Sequence, residues 1–248
     1  MNDLIETLPV VALRGMTILP GMVIHFDVSR ERSVKAIEQA MLKEQRIFLV
    51  TQKDVQVEQP GPEDLYRIGT IASVKQVIKL PHNVIRVLAE GLEKAELSHF
   101  SQDGEFLEAE VIRFESEDAL ENLDPAYGEA MVRNLSETFH LYCRESGKVG
   151  KELERQITET ADLEKLMKEI MINLPLYYED KQKLLETVTL SDRYELLCAQ
   201  MNKEIEVLRF KRELQEKVKA RVDKNQREYL LREQLKVIRE ELGEDTQP

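Results

Sequence analysis

The chain has 248 residues, 42% apolar and 33% charged, with ten Gly, eight Pro and no Trp; this suits one large domain or two small ones and excludes a disordered or collagen-like polymer. Its 35 Lys and Arg against 47 Asp and Glu leave a net charge of -12, which argues against a protein whose main partner is a nucleic-acid phosphate backbone. Cys143 and Cys198 stand far apart, which excludes a disulfide framework and a zinc site, and no apolar run approaches the roughly eighteen residues of a bilayer span.

From Leu8 to about Phe114 the apolar residues come in short runs bounded by Gly, Pro, Asn and Asp. Leu8 to Leu13 and Met22 to Val28 read as strands around the turn-rich segment 14–21. Ser29 is placed to cap a helix carrying Val34, Ile37 and Met41, and Ile47 to Thr51 is the next strand. Ala72, Val74, Ile78 and Leu80, then Val84 to Ala89, then Leu107, Ala109 and Val111 give further strands, with Pro81-His82-Asn83 as a turn. One early helix among several strands predicts a small, mostly antiparallel sheet or barrel, because a doubly wound sheet needs a helix after nearly every strand.

Past Ser116 the period changes. Leu120, Leu123, Tyr127, Met131, Leu135, Phe139 and Tyr142 recur at threes and fours, as do Leu163, Leu166, Met167, Ile170 and Leu174 before Pro175. A short helix is expected around Asp180 to Val188. Thr189 and Asp192 form a capping-box pattern, and no Gly or Pro follows until Gly243, so a helix of about fifty residues and about 80 Å is predicted. Acid-first pairs at i,i+4, such as Glu213 with Lys217, Asp223 with Arg227 and Glu228 with Arg232, support it. Its apolar positions slip register twice, which opposes a continuous two-stranded coiled coil and favours a helix that changes partners along its length. Leu231, Leu235, Ile238 and Leu242, at 4-3-4 spacing, are the candidate association positions.

Charge divides the chain as well. Eleven acids lie between Ser101 and Glu137 beside only Arg113 and Arg133, whereas residues 202–248 hold twelve basic and eleven acidic residues. The acids between Glu105 and Asp124 match no calcium-loop spacing and read as a solvated face. The basic stretch Arg209 to Lys224 alternates with acids in pairing order, which also reads as a solvated helix face.

Catalytic motifs are missing from the pattern. Gly147-Lys148 and Gly150-Lys151 lack the hydroxyl residue of a phosphate loop, no Ser occupies a G-x-S-x-G turn, and none of His25, His82, His99 or His140 begins an H-E-x-x-H. His140 and Cys143 lie three apart, but no third group orients them as base and nucleophile. The sequence therefore assigns no catalytic, cofactor-binding or metal-binding residue. More suggestive are apolar residues where turns are normally polar: Met16, Ile18, Leu19, Pro20 and Met22 in one segment, Leu80 and Pro81 in another. These seven are the candidate substrate contacts, a surface suited to gripping unfolded chains, with closure of the sheet end as the structural alternative.

Several segments resemble one family. Leu8-Pro9-Val10-Val11-Ala12-Leu13-Arg14 with Ile18-Leu19-Pro20-Gly21, Ile68-Gly69-Thr70-Ile71-Ala72, and Arg86-Val87-Leu88-Ala89-Glu90-Gly91 resemble the N-terminal substrate-binding region of bacterial Lon proteases. Glu216-Lys217-Val218 and the segment Asn225 to Lys236 resemble the long helix leading into the ATPase module of that family. The resemblance covers essentially the whole chain. It implies an α+β fold with a PUA-like, mostly antiparallel β-barrel or sheet subdomain over residues 1–116, a helical subdomain over 117–188, and a very long helix over 189–248.

The resemblance further implies a cytoplasmic homohexamer in which an AAA+ ATPase using ATP and Mg, and a protease with a Ser-Lys dyad, lie beyond residue 248. The acidic N-terminus with Asp3 and Glu6 and no basic leader agrees with the cytoplasm. Pro248 precedes any Walker motif, so the chain reads as the N-terminal region of a longer polypeptide with no catalysis of its own. Its expected partners are unfolded or damaged proteins and other copies of itself, with a dimer or weak oligomer open for the segment alone. Two alternatives remain at this stage: a stand-alone scaffold with a helical dimerisation arm, and a PUA-like RNA-binding protein, the latter opposed by the acidic charge.

Overall fold

The run Leu8–Leu13 is apolar at nearly every position, as a strand buried on both faces requires. In the computed structural model, which describes residues 4–101, 104–114 and 124–242, that run lies in β1 (Ile5–Leu13). Leu8, Val10 and Ala12 enter one apolar cluster with Phe48, Ile71 and Val111, while Val11 and Leu13 enter a second, larger one.

β2 (Val23–Val28), β3 (Arg46–Thr51), β4 (Ile68–Leu80), β5 (Val84–Ser101) and β6 (Glu108–Arg113) complete a six-stranded sheet in the order β2-β5-β4-β3-β1-β6. At 18 residues, β5 is long enough to pair with β2 along its first half and with β6 along its second, which closes the sheet on itself. Every pairing is antiparallel except β1 with β3, where Val10 lies opposite Phe48. That parallel pair is reached through β2 and α1 (Glu31–Leu42), whose Val34, Ala36, Ile37 and Ala40 join the larger cluster. The tip of the β4–β5 hairpin places His82 and Asn83 at φ 63° and 58°, a left-handed pair that suits a tight turn.

Ser29 does not cap α1. The N-cap is Arg30, with no side-chain cap hydrogen bond, because its guanidinium is drawn instead to the Ala12 carbonyl and the Gln52 side chain.

The helical part begins at α2 (Pro125–Ser146), capped by Asp124, whose carboxylate accepts from the Ala126 amide. Met131, Leu135, Phe139 and Tyr142 are buried at 4-4-3 spacing. α3 (Lys151–Thr158), which has no counterpart in the predicted elements, is followed by α4 (Leu163–Asn173) and α5 (Tyr178–Glu186). The larger cluster runs without a break from Leu19 and Met22 at the sheet to Met167 and Ile170 on α4 and Leu197 and Met201 beyond. Leu120, Leu123, the acids from 115 to 123 and the boundary drawn at 116 lie outside the described residues.

α6 (Leu190–Glu241) starts with a reciprocal cap, Thr189 accepting from the Asp192 amide and donating to its carboxylate. Its 52 residues reach about 78 Å at 1.5 Å per residue. Only the first part is packed: Leu190, Leu197, Gln200, Met201 and Ile205 are buried, and from Arg209 to Leu242 every residue is exposed. Along the free part an ion pair joins Lys224 to Glu228 at 3.9 Å, not the acid-first pairs the sequence suggested.

Candidate functional site

Three places on the molecule bear on function: the segment between β1 and β2, the tip of the β4–β5 hairpin, and the free part of α6.

The β1–β2 segment folds inward. Ile18, Leu19 and Met22 are 2%, 1% and 9% exposed, so these three candidates are core residues and not a gripping surface. The inward turn is held by the Thr70 hydroxyl, which donates to the Ile18 carbonyl at 2.6 Å, and by Gly91, which exchanges backbone hydrogen bonds with Gly21 and Met22 at 2.8 Å each. Gly91 has to be glycine, since a methyl group there would stand 2.5 Å from the Leu19 carbonyl oxygen. Gly21, at φ 88°, lies under the Lys168 side chain of α4 in the same way. Met16 and Pro20 remain half-buried.

At the other candidate segment, Leu80 is half-buried and Pro81 is exposed. The two segments do not meet along the ribbon that carries them. Gly21 is bonded to Gly91 whereas Leu80 pairs with Val84, seven residues away along β5 and therefore about 23 Å distant. Pro20 and the exposed Val23 lie at one end, Leu80, Pro81 and the exposed Ile78 at the other.

The same segment joins sheet to helices through polar contacts. Thr17 is buried, with its Oγ1 2.8 Å from Thr51 Oγ1 and 3.0 Å from the Tyr178 carbonyl oxygen. Gln182 on α5 donates to the Ile68 carbonyl at 2.9 Å, and Lys94 donates to the Thr187 carbonyl at 2.7 Å. No sequence motif marked these partners, which lie more than ninety residues apart.

Where α6 leaves its domain, opposite charges meet. Glu145, near the end of α2, has a side chain only 7% exposed and faces Arg212 and Arg209. Burial disfavours its charged form, but the two guanidiniums outweigh that and hold the carboxyl below the ordinary glutamate range. Asp180 on α5 behaves alike: burial opposes ionisation, and Lys183, Lys203 and Gln200 together leave its carboxyl lowered.

Arg209 and Arg212 thus face the helix's own domain, while the apolar residues of the free part are exposed. At about 100° per residue, Val207, Phe210, Leu214, Val218 and Val222 occupy one arc of roughly 120°. Six polar residues, Asp223 to Glu228, interrupt the series. Leu231, Leu235, Ile238 and Leu242 then resume it within about 60°, rotated by roughly 110° from the first group. All four are more than half exposed, at 52%, 53%, 52% and 68%.

Cys143 is buried, and burial with the nearby Glu154 charge pushes its thiol up to about 11, far from a thiolate at neutral pH. His140 meets the Glu154 carboxylate through its Nδ1. Gly147 is the left-handed C-cap of α2 at φ 61° and Gly150 the N-cap of α3, so these glycines end and start helices and form no phosphate cradle. The described residues do not fit ATP with magnesium, and among them no group of three or more His, Cys, Asp or Glu could hold a metal. No described helix is long and apolar enough to cross a membrane.

Comparison with known proteins agrees with this architecture. The family model described as the ATP-dependent protease La (LON) substrate-binding domain matches residues 7–203. The chain is 51% identical over 244 residues to a Lon protease of Lachnoclostridium phytofermentans, and 40% identical over 237 residues to a Lon protease of Brevibacillus choshinensis. It is 35% identical over 243 residues to Lon protease 1 of Bacillus subtilis. These alignments cover 98%, 96% and 98% of the chain but only 30%, 30% and 31% of those relatives. Among solved structures, the N-terminal domain of a Mycobacterium avium complex Lon protease superimposes with a TM-score of 0.62 at 18% identity, covering 79% of this chain and 98% of that one. A Lon N-terminal domain protein of Xanthomonas campestris gives 0.53 at 17% identity, covering 78% and 98%. At such identities the two structures speak to the fold alone.

Proposed function

This chain belongs to the Lon substrate-binding domain family, and from that premise we propose that it captures misfolded, abnormal and short-lived regulatory proteins for degradation by an ATP-dependent serine protease. Recognition of polypeptide is the role of the β-rich part and its neighbouring helices. ATP, magnesium, an AAA+ ATPase and a Ser-Lys dyad belong, on this reading, to the part of the relatives that the chain does not span. The assembly it serves is a cytoplasmic homohexamer. Family membership favours this over a stand-alone scaffold or an RNA-binding protein.

The observation that carries the proposal, beside the family match, is the free part of α6. Thirty-four consecutive exposed residues, 209–242, project about 50 Å with two apolar patches that their own domain leaves bare. A helix of that design transmits the position of a captured chain to neighbouring machinery and takes up other copies through Leu231, Leu235, Ile238 and Leu242. Pro20, Leu80 and Pro81 remain candidate contacts for weak capture, now as two separate patches. Weak capture suits the task, since a tightly held substrate is not handed on.

The test is fluorescence anisotropy with a labelled, permanently unfolded protein. Binding by the chain with micromolar affinity, weakened when Pro20→Ser and Leu80→Ser are combined, is the expected result. No binding by the intact chain at any accessible concentration would refute the capture role.

A further inference from the structure

The β-rich part has one conspicuous opening. Among the described residues β2 pairs with β5 alone, so no strand pairs with its other edge. β1 has its β6 neighbour through Pro9 opposite Glu108 and one further bond from the Val10 amide to the Leu107 carbonyl; from Val11 onward no described strand lies on that side of β1. Both edges line one open cleft of about 1220 Å³, which exceeds the roughly 300–1,000 Å³ of small-molecule sites and has the scale of a peptide segment.

Two arginines converge at this cleft without an ion-pair partner, although Asp27, Glu31 and Glu58 also line it. Arg14 and Arg30 each donate from Nη2 to the same carbonyl oxygen, that of Val57, at 3.4 and 3.3 Å. The other partners of Arg30 are also neutral: the Ala12 carbonyl at 3.3 Å and the Gln52 side-chain oxygen at 2.7 Å. Among the described residues no carboxylate comes within ion-pair distance of either, although Arg86 nearby has Asp27 at 2.7 Å and Lys35 has Glu31 at 3.1 Å. Burial, then the Arg14 charge, depress the proton affinity of Arg30, and Glu58 offsets this only in part. α1 begins at the same place with no side-chain cap, so the positive end of its peptide dipoles adds to the field, opposed by Glu31 of its first turn, which Lys35 pairs. A chain of net charge -12 has gathered two like charges here, hydrogen-bonded to neutral oxygens and only partly compensated by Glu58.

We propose that this cleft takes an extended, acidic segment of polypeptide, which adds to the bare edge of β2 while its side-chain carboxylates meet Arg14 and Arg30. The inference rests on the capture reading above and gives it a substrate class. Charge complementarity selects an anion. The strand edge selects a peptide over a nucleic acid, because an unpaired β-edge offers backbone hydrogen bonds that only another peptide backbone returns in register. The net negative charge of the chain opposes a polyphosphate backbone in addition.

The experiment uses a short labelled peptide of alternating Val and Glu, a second with every Glu replaced by Gln, and the permanently unfolded protein of the capture test, its carboxylates amidated. The Val-Glu peptide is expected to bind the intact chain about ten-fold more tightly than the Gln peptide, and to weaken about ten-fold in Arg14→Gln and with rising salt. Arg14 is exposed, so this variant folds; Arg30→Lys with an unchanged thermal midpoint serves as a second, keeping charge but losing the fork. Hydrogen exchange is expected to slow at β2 when the acidic peptide is added. Equal affinity for the two peptides, or indifference to Arg14→Gln, overturns the proposal. So does displacement by a single-stranded oligonucleotide at lower concentration than by unlabelled peptide. Binding of the unfolded protein without the acidic peptide sinks the cleft alone, whereas binding of neither sinks the capture reading with it.

Discussion

Arg212 of α6 places its Nη1 2.8 Å from Oε2 of Glu145, at the last turn of α2. Among the described residues no hydrogen bond or ion pair joins the long helix to its own domain beyond this one, four residues past the last partly buried apolar position, Leu208. It ties the start of the free part to α2. Arg212→Ala is expected to broaden the distribution of distances between spin labels at residues 152 and 228, with unfolding little changed.

Acid acts on the same pair. The folded Glu145 carboxyl is lowered relative to the unfolded chain, so its contribution is complete above the ordinary glutamate range and is lost as pH falls through the lowered value. The label distances are therefore expected to hold from neutral pH down through the ordinary glutamate range and to broaden as pH falls through the lowered value, and Glu145→Gln to show the broad distribution at every pH.

Packing at Gly91 is a separate matter. The methyl group of Gly91→Ala would press on the Leu19 carbonyl and on Thr70, which ties the β1–β2 segment to the sheet. A loss of about 1–3 kcal/mol in urea unfolding is expected. Leu135→Ala on α2, fully buried, is expected to cost about 2–5 kcal/mol and sets the scale for a core cavity.

The distal face of α6 makes the opposite prediction. Leu235→Glu with Ile238→Glu changes side chains that are already exposed, so unfolding is expected to shift by less than about 0.5 kcal/mol. Sedimentation equilibrium is expected to show self-association in the parent chain and its loss in the double variant. Unchanged association would place the contact elsewhere.

Cys143 offers a chemical check. Its thiol is raised to about 11 by burial and by Glu154, so a thiol reagent at pH 8 is expected to leave it unmodified until the chain is unfolded. A raised thiol means that the unfolded chain releases this proton first; stability from this group is full below the unfolded thiol range and declines as pH rises through it.

Much of the fold was legible because the two periods are plain. Alternation marked the later strands, threes and fours marked α2 and α4, and Thr189 with Asp192 marked the start of α6. α3 was not legible, since Lys151–Thr158 carries only Leu153 and Ile157 as an apolar face. Ser29 misled because its neighbour Arg30 has long-range partners that decide where the helix begins. The candidate contacts divided for a similar reason: an apolar turn looks the same whether it faces solvent or a helix that arrives 150 residues later, as Lys168 does over Gly21.

The sequence by itself determined the mixed α+β class, the change of period near residue 116, the long capped helix and the family. These depend on local spacing and on motifs a few residues long. Only the tertiary structure decided that Ile18, Leu19 and Met22 are core, that Glu145 meets Arg209 and Arg212 of α6, and that Arg14 and Arg30 share one carbonyl at an open cleft. Each is a meeting of residues distant in the chain, and burial and charge compensation are properties of such meetings, set by the closed sheet and its helices.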